Sequence, residues 1–312
     1  MPSHRIDEST EGVFIICATP FGENGELDLD SADRLVEFYL EQGVSGMTIL
    51  GMMGEAQKLS EQESVAFLRR VLNRVSGRVP VVVGVSSPDI SRLETLAGMA
   101  MDEGAGGVMV APLNGLASDE EIYTYFSGVF GTLGDAVPVC YQDYPYATGS
   151  ALSVAGFNRL VRDYPRLVML KHEDWPGLNK LSAVRETAKQ ESLRRVAVMV
   201  GNGGLYLPQE LARGADGAMT GFAYPEMLVE VVRLFKAGQR DRAEDLFDAY
   251  LPLVRYEQQP NFGLAIRKET LRRRGVIRSA RVRAPGPVMS STDHGELTRL
   301  IDRVRYNVRQ LA

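Results

Sequence analysis

The chain has 312 residues, a formal net charge of −5, 45% hydrophobic and 24% charged residues, the profile of a soluble globular protein with enough apolar material for its own core. Its basic residues are scattered, and the one dense run, Arg272-Arg273-Arg274, closes a helical pattern where cations complement the dipole, so no nucleic-acid partner is indicated. No apolar stretch reaches the ~18 residues of a membrane span, residues 1–11 are polar and lack a signal-peptide core, and Cys17 and Cys140 sit in apolar runs as small buried hydrophobes rather than disulfide partners; a cytoplasmic protein with no membrane partner is expected.

Eight short apolar, β-rich runs follow one another at residues 13–18, 45–50, 79–85, 107–111, 137–141, 167–171, 196–200 and 217–220. Between and after them, helical periodicity marks residues 31–42, 61–75, 91–103, 118–132, 154–162, 178–189, 207–213 and 226–237. Glycine at several helix-to-strand junctions, as in Gln42-Gly43-Val44 and Glu103-Gly104-Ala105, suits the left-handed position after a helix end. Strict βα alternation means a parallel sheet, and eight units predict a closed α/β barrel of the (β/α)8 (TIM) class. An open doubly wound sheet is the alternative, but Thr19-Pro20-Phe21 follows the first strand where a dinucleotide-binding fold would place its glycines. Further helices are predicted at 241–257, 262–274 and 293–310, with a loop at 275–291. This divides the chain into a barrel over residues 1–237 and a C-terminal helical extension over 238–312, packed together as one unit.

Of the 35 lysines and arginines only six are lysines, and Lys171 is the one that ends a continuous apolar strand, Leu167-Val168-Met169-Leu170; the other five lie in ordinary polar, largely helical contexts. A buried ammonium is costly unless paired, whereas a desolvated lysine that sheds its proton becomes an amine able to attack a carbonyl. The alternative is a strand-end lysine that reaches solvent or pairs with Glu173. Because side chains alternate along a strand, Lys171 and Glu173 are predicted to point the same way and His172 another; His172 is read as a packing or supporting residue.

Catalytic groups of such barrels gather at the C-terminal strand ends. The second strand ends in Gly51-Met52-Met53-Gly54-Glu55, which can offer successive backbone N–H groups to a carboxylate or be merely a tight turn. The fifth ends in Tyr141-Gln142-Asp143-Tyr144-Pro145-Tyr146-Ala147-Thr148-Gly149, dense in hydroxyl, amide and carboxylate groups, although packing is the commoner fate of such aromatics. The seventh ends in Gly201-Asn202-Gly203-Gly204.

In this order, TPF, GxxGE, the Tyr-and-Pro motif ending in Thr-Gly, the lysine and the glycine resemble the dihydrodipicolinate synthase / N-acetylneuraminate lyase family, over roughly residues 10 to 310. The resemblance implies a Schiff-base aldolase or dehydratase on a (β/α)8 barrel, acting on a small-molecule 2-oxo acid, without cofactor or metal, and assembled as a homo-oligomer, usually a tetramer. It assigns the imine to Lys171, carboxylate binding to the loop of Met52 and Met53 through their backbone N–H groups, and the flanking positions of the imine to Gly201 and Met219. The chain departs from the family's strand-five pattern. Anchored on Pro145, the catalytic tyrosine position holds Gln142 and the arginine position holds Ala147, while a one-residue slip lets Tyr141 or Tyr144 substitute. Pro112-Leu113-Asn114 replaces a Pro-Tyr-Tyr that supplies a relay tyrosine, so dihydrodipicolinate synthesis itself is not expected.

Gln142-Asp143-x-Pro145, Glu173, Asn179-Lys180-Leu181, Gly217-Ala218-Met219-Thr220-Gly221 and Tyr250-Leu251-Pro252-Leu253 look like the L-2-keto-3-deoxyarabonate dehydratase-like branch. That branch implies dehydration of a 2-keto-3-deoxy sugar acid, with Lys171 as nucleophile, Glu173 as acid/base, and Tyr141, Gln142 and Tyr144 near the substrate hydroxyls. Class I aldol cleavage of a 4-hydroxy-2-oxo acid begins at the same imine and stays open, as does a non-catalytic barrel that binds such acids.

Overall fold

The computed structural model describes residues 5–311, so the first four residues of the predicted barrel and its polar leader, and the last residue of the predicted extension, lie outside the described chain. The strands are β1 (Gly12–Ile16), β2 (Gly46–Ile49), β3 (Val81–Gly84), β4 (Gly107–Val110), β5 (Val139–Asp143), β6 (Leu167–His172), β7 (Ala197–Val200) and β8 (Gly217–Thr220). They pair in sequence order, all parallel, and β8 closes on β1. The alternation legible in the sequence thus becomes a closed (β/α)8 barrel.

The crossovers are α1 (Leu29–Glu41), α2 (Glu61–Val75), α3 (Ile90–Asp102), α4 (Asp119–Leu133), the short α5 (Pro145–Thr148), α6 (Val154–Asp163), α7 (Leu178–Gln190), α8 (Leu207–Ala212) and α9 (Pro225–Lys236). Their starts are written locally. The Ser60 hydroxyl accepts from the Glu63 N–H while the Glu63 carboxylate accepts from the Ser60 N–H, a reciprocal cap on α2. Asp28, Asp89, Ser118 and Ser153 cap α1, α3, α4 and α6 in the simpler way. After the barrel come α10 (Arg240–Glu257), α11 (Gly263–Arg273) and α12 (Ser291–Gln310). α10 lies against α9, α11 and α12.

Period-2 alternation divides the apolar side chains into two layers. Phe14, Ile16, Val82, Met109, Cys140, Met169, Met199 and Met219 fill the barrel interior, with Ile6 joining them. The Ile6 N–H donates to the Gly106 carbonyl at 2.9 Å. Val13, Ile15, Met47, Ile49, Tyr141 and Leu170 face the helices instead. Both cysteines are buried and unpaired, and burial raises the Cys140 thiol to about 12, which keeps it an inert filler. Among the described residues no helix is long and apolar enough to cross a membrane.

Candidate active site

Two strands run further than their apolar pattern suggests. β5 extends through Gln142 and Asp143, and β6 through His172, with Gln142 registered against Lys171 and Asp143 against His172. Continued alternation then sends Gln142, Lys171 and Glu173 to the inside and Asp143 and His172 to the outside. Lys171 Nζ lies 2.9 Å from Glu173 Oε2, and the Gln142 Nε2 amide donates to that same oxygen at 2.8 Å. All three are buried, with Lys171 2% and Glu173 7% exposed. A strand-end lysine reaching bulk water is therefore not what the fold builds; the ammonium is sheltered and held by one carboxylate.

Glu173 has its place because the next strand leaves room for it. A Cβ on Gly201 would stand 2.2 Å from Glu173 Cγ and 2.4 Å from Oε1, so a side chain there and the observed carboxylate exclude each other. The Gly201 N–H donates to the His172 carbonyl at 3.0 Å, and the Asn202 amide donates to the Glu173 carbonyl at 3.3 Å. The carboxylate is thus set by three strand ends together.

The tyrosines of the β5 motif divide differently from the sequence expectation. Tyr141 belongs to the helix-facing layer, its ring 4.8 Å from Phe126 and 6.0 Å from Phe157. The sequence expectation of a catalytic Tyr141 is corrected by strand parity: with Gln142 inward, its neighbour must face out. Tyr144, at the start of α5, stays on the site side. Burial, and then the charge of Glu173, push its phenol up to about 12, so it is a neutral hydroxyl at ordinary pH. The four-residue α5 was not predicted; Pro145 opens it.

At β2, the run Met52–Gly54 forms a single 3-10 turn. The N–H groups of Met52 and Met53 occupy its first two positions and have no acceptor within it. The Met53 side chain packs on the barrel interior while Met52 is 36% exposed. Met219 lies on the interior face of β8 and is fully buried.

A model of the dihydrodipicolinate synthetase family matches residues 9–304. The chain belongs to the dihydrodipicolinate synthetase family. Members of this family are lyases. The chain is 30% identical over 307 residues to L-2-keto-3-deoxyarabonate dehydratase of Azospirillum brasilense, covering 97% of this chain and 95% of that one. It is 46% identical to a crystal structure of dihydrodipicolinate synthase from Rhodopseudomonas palustris, with a TM-score of 0.94 over 96% of this chain and 100% of that one. At 23% identity, the structure of a dihydrodipicolinic acid synthase family protein from E. coli K12, in complex with pyruvate, shares the fold. Its TM-score is 0.86 over 95% of this chain and 98% of its own.

Family motifs were found where the strands end, but the groups that brace them were not. Glu55, the last residue of the GMMGE motif, is 1% exposed and in the left-handed region at φ 56°. Lys268 of α11 donates to its Oε1 at 2.5 Å, Lys58 to its Oε2 at 3.0 Å, and the Arg283 backbone N–H to Oε2 at 2.9 Å. Lys268 is therefore not in an ordinary polar context: it is 0% exposed, and burial lowers its amine to about 8 against the pull of Glu55. The available signal was phase, since Lys268 shares a helix stripe with Leu264 and Leu271. Lys268→Met is expected to leave Glu55 buried with less compensation and to cost roughly 3–5 kcal/mol, read as a shift of the urea midpoint at pH 7. A midpoint within error of wild type would show that Lys58 and Arg283 suffice.

A second missed group is Glu210 on α8, 6% exposed, with Oε2 unpartnered among the described residues. Burial raises its carboxyl to about 8, with the nearby His172 opposing. Since the folded value lies above the unfolded one, the folded state holds the extra proton. The resulting stability is full below about pH 4.5 and is lost as pH climbs through about 8. Glu210→Gln should flatten this decline, by up to a few kcal/mol between pH 5 and 8. Thermal unfolding of both proteins across that range checks it; parallel profiles would contradict it.

Proposed function

We propose that this chain is a Schiff-base lyase that dehydrates a 2-keto-3-deoxy sugar acid. The observation that carries the reading is the buried contact of Lys171 with Glu173, braced by Gln142, at the C-terminal mouth of the barrel. The Lys171 ammonium passes a proton to Glu173, and the amine adds to C2 of the 2-oxo acid. The carbinolamine hydroxyl leaves as water with that proton, which gives the iminium and returns Glu173 to a carboxylate. The iminium makes the C3 protons acidic. Glu173 takes one to form the enamine, then delivers it to the C4 hydroxyl as the C4–O bond breaks. A C3–C4 double bond conjugated with the imine remains, and hydrolysis frees Lys171.

The free N–H groups of Met52 and Met53 suit the substrate carboxylate. In this reading Gly201 and Met219 shape the wall around the imine, and Tyr144 and Gln142 serve as hydrogen-bond partners for substrate hydroxyls. We assign no such role to Tyr141. Support for dehydration over dihydrodipicolinate synthesis comes from Ala147 and from Pro112-Leu113-Asn114, which lack the arginine and the relay tyrosine of that synthesis. The full-length likeness to the Azospirillum dehydratase adds to it. By family resemblance we also infer a cytoplasmic homo-oligomer, a tetramer.

The deciding experiment incubates the protein with a panel of 2-keto-3-deoxy sugar acids. The reading expects the acid to be consumed without pyruvate. Stoichiometric pyruvate and aldehyde would mean aldol cleavage, and no consumption together with tight binding would mean a non-catalytic barrel.

A further inference from the structure

The strand ends that meet inside the barrel are also tied together outside it. Each inward residue has an outward neighbour in the chain: Gln142 has Asp143, Lys171 has His172, and Glu173 is followed by Asp174. Lys180, in the first turn of α7, places its Nζ 2.8 Å from Asp143 Oδ2 as an ion pair and donates to Asp174 Oδ2 at 2.9 Å. His172 Nδ1 approaches that same Asp143 oxygen at 3.5 Å, and Nε2 donates to the Gly177 carbonyl at 2.9 Å. Gly177 has to be small, because a Cβ would stand 2.6 Å from that ring nitrogen. The Glu173 N–H donates to the Asp143 carbonyl at 2.8 Å, directly over this cluster.

We propose that Lys180 is a positioning residue for the reaction. By bridging Asp143 and Asp174 on the outer side of β5 and β6, it fixes the strand ends whose inner faces bring Gln142, Lys171 and Glu173 together. The inference rests on the imine reading above.

Asp143 is 2% exposed, and a carboxylate so placed is tolerated only with cations against it. The groups that face it are Lys180 and His172. Burial favours their neutral forms, but the contact with Asp143, joined by the Gly177 carbonyl at His172 and by Asp174 at Lys180, outweighs it and raises both above their ordinary values. Without the Lys180 charge, Asp143 keeps only the imidazole and Asp174 the Trp175 N–H, and the cheapest relief is to swing outward toward water. β6 ends at His172, so past that point few ladder bonds resist the swing. Reacting groups displaced by about 1 Å lose on the order of a hundredfold in rate. The carboxylate-binding turn on β2 lies on another strand and has its own brace in Lys268, so affinity should be spared.

The test compares Lys180→Met and Lys180→Arg with the wild type, using 2-keto-3-deoxyarabonate for turnover and borohydride reduction with pyruvate for imine formation. The expected result is a kcat for Lys180→Met lower by about a hundredfold, KM within about twofold, slower adduct formation, and recovery of most of the loss in Lys180→Arg. Should Lys180→Met fail to fold, Asp174→Asn, at the more exposed end of the bridge, is expected to lower kcat alone by a smaller factor. A wild type that traps an imine alongside folded Lys180→Met and Asp174→Asn proteins with undiminished kcat overturns the positioning role by itself. So does a loss confined to KM. A wild type that traps none overturns the imine reading, and this inference with it.

Discussion

Lys171→Arg should abolish turnover, by at least about 10⁴-fold, the order seen when a covalent nucleophile is lost, while leaving the fold in place. Arginine keeps the positive charge beside Glu173, so the ion pair at 2.9 Å has a near substitute. Its guanidinium stays protonated at any workable pH and cannot add to a ketone. The substitution therefore separates two roles that geometry alone leaves joined. If Lys171 served only to neutralise Glu173, the arginine variant would turn over. If it is the imine nucleophile, the variant unfolds at a similar temperature yet neither consumes substrate nor gains mass on borohydride reduction.

Glu173→Gln should divide the reaction at its middle. The amide is nearly isosteric and can still meet Gln142, but it cannot take a proton from C3. General-base loss of this kind costs about 10²–10⁴-fold. Lys171, now without its counter-charge in a nearly dry site, is driven toward the free amine, so the imine with pyruvate should still form, more slowly because Glu173 no longer protonates the carbinolamine hydroxyl, while dehydration fails. Trapped adduct without turnover is the signature; turnover near wild type would remove Glu173 from the proton transfers. Gly201→Ala approaches the same point sterically. Its methyl cannot coexist with Glu173 Cγ at 2.2 Å, so the carboxylate must rotate away, and a loss similar in kind to Glu173→Gln is expected from a protein that still folds. Unchanged kinetics in this variant would mean the carboxylate is free to move without consequence.

The extent to which the sequence revealed this site follows strand parity and burial. The lysine stood out because an apolar run ends in it, and the prediction that Glu173 shares its face needed only the two-residue repeat. That same repeat also decides Tyr141, once the register of β5 against β6 is known. Register between strands is a tertiary property, and the polar Gln142-Asp143 pair hid the true end of β5 from a reading by hydrophobicity. The bracing ions are harder still. Glu55 and Lys268 are separated by 213 residues, and local patterning carries no information about a contact of that range beyond the odd phase of a lysine on an apolar stripe. Lys180 had a hint, since it sits in a motif shared with the dehydratase-like branch, but its partners emerge only when α7 is docked on the barrel. The fold was legible because βα alternation is local and repeated eight times, whereas the charges that tension it are not.

The central claim, that this sheltered amine condenses with a 2-oxo acid, is tested most directly by intact-protein and peptide mass spectrometry after borohydride reduction with pyruvate or a 2-keto-3-deoxy acid. One reduced-imine adduct per chain is expected, on the peptide that contains Lys171, and none in Lys171→Arg. Turnover of substrate with no adduct at that residue, or an adduct confined to Lys180 or another lysine, would contradict it.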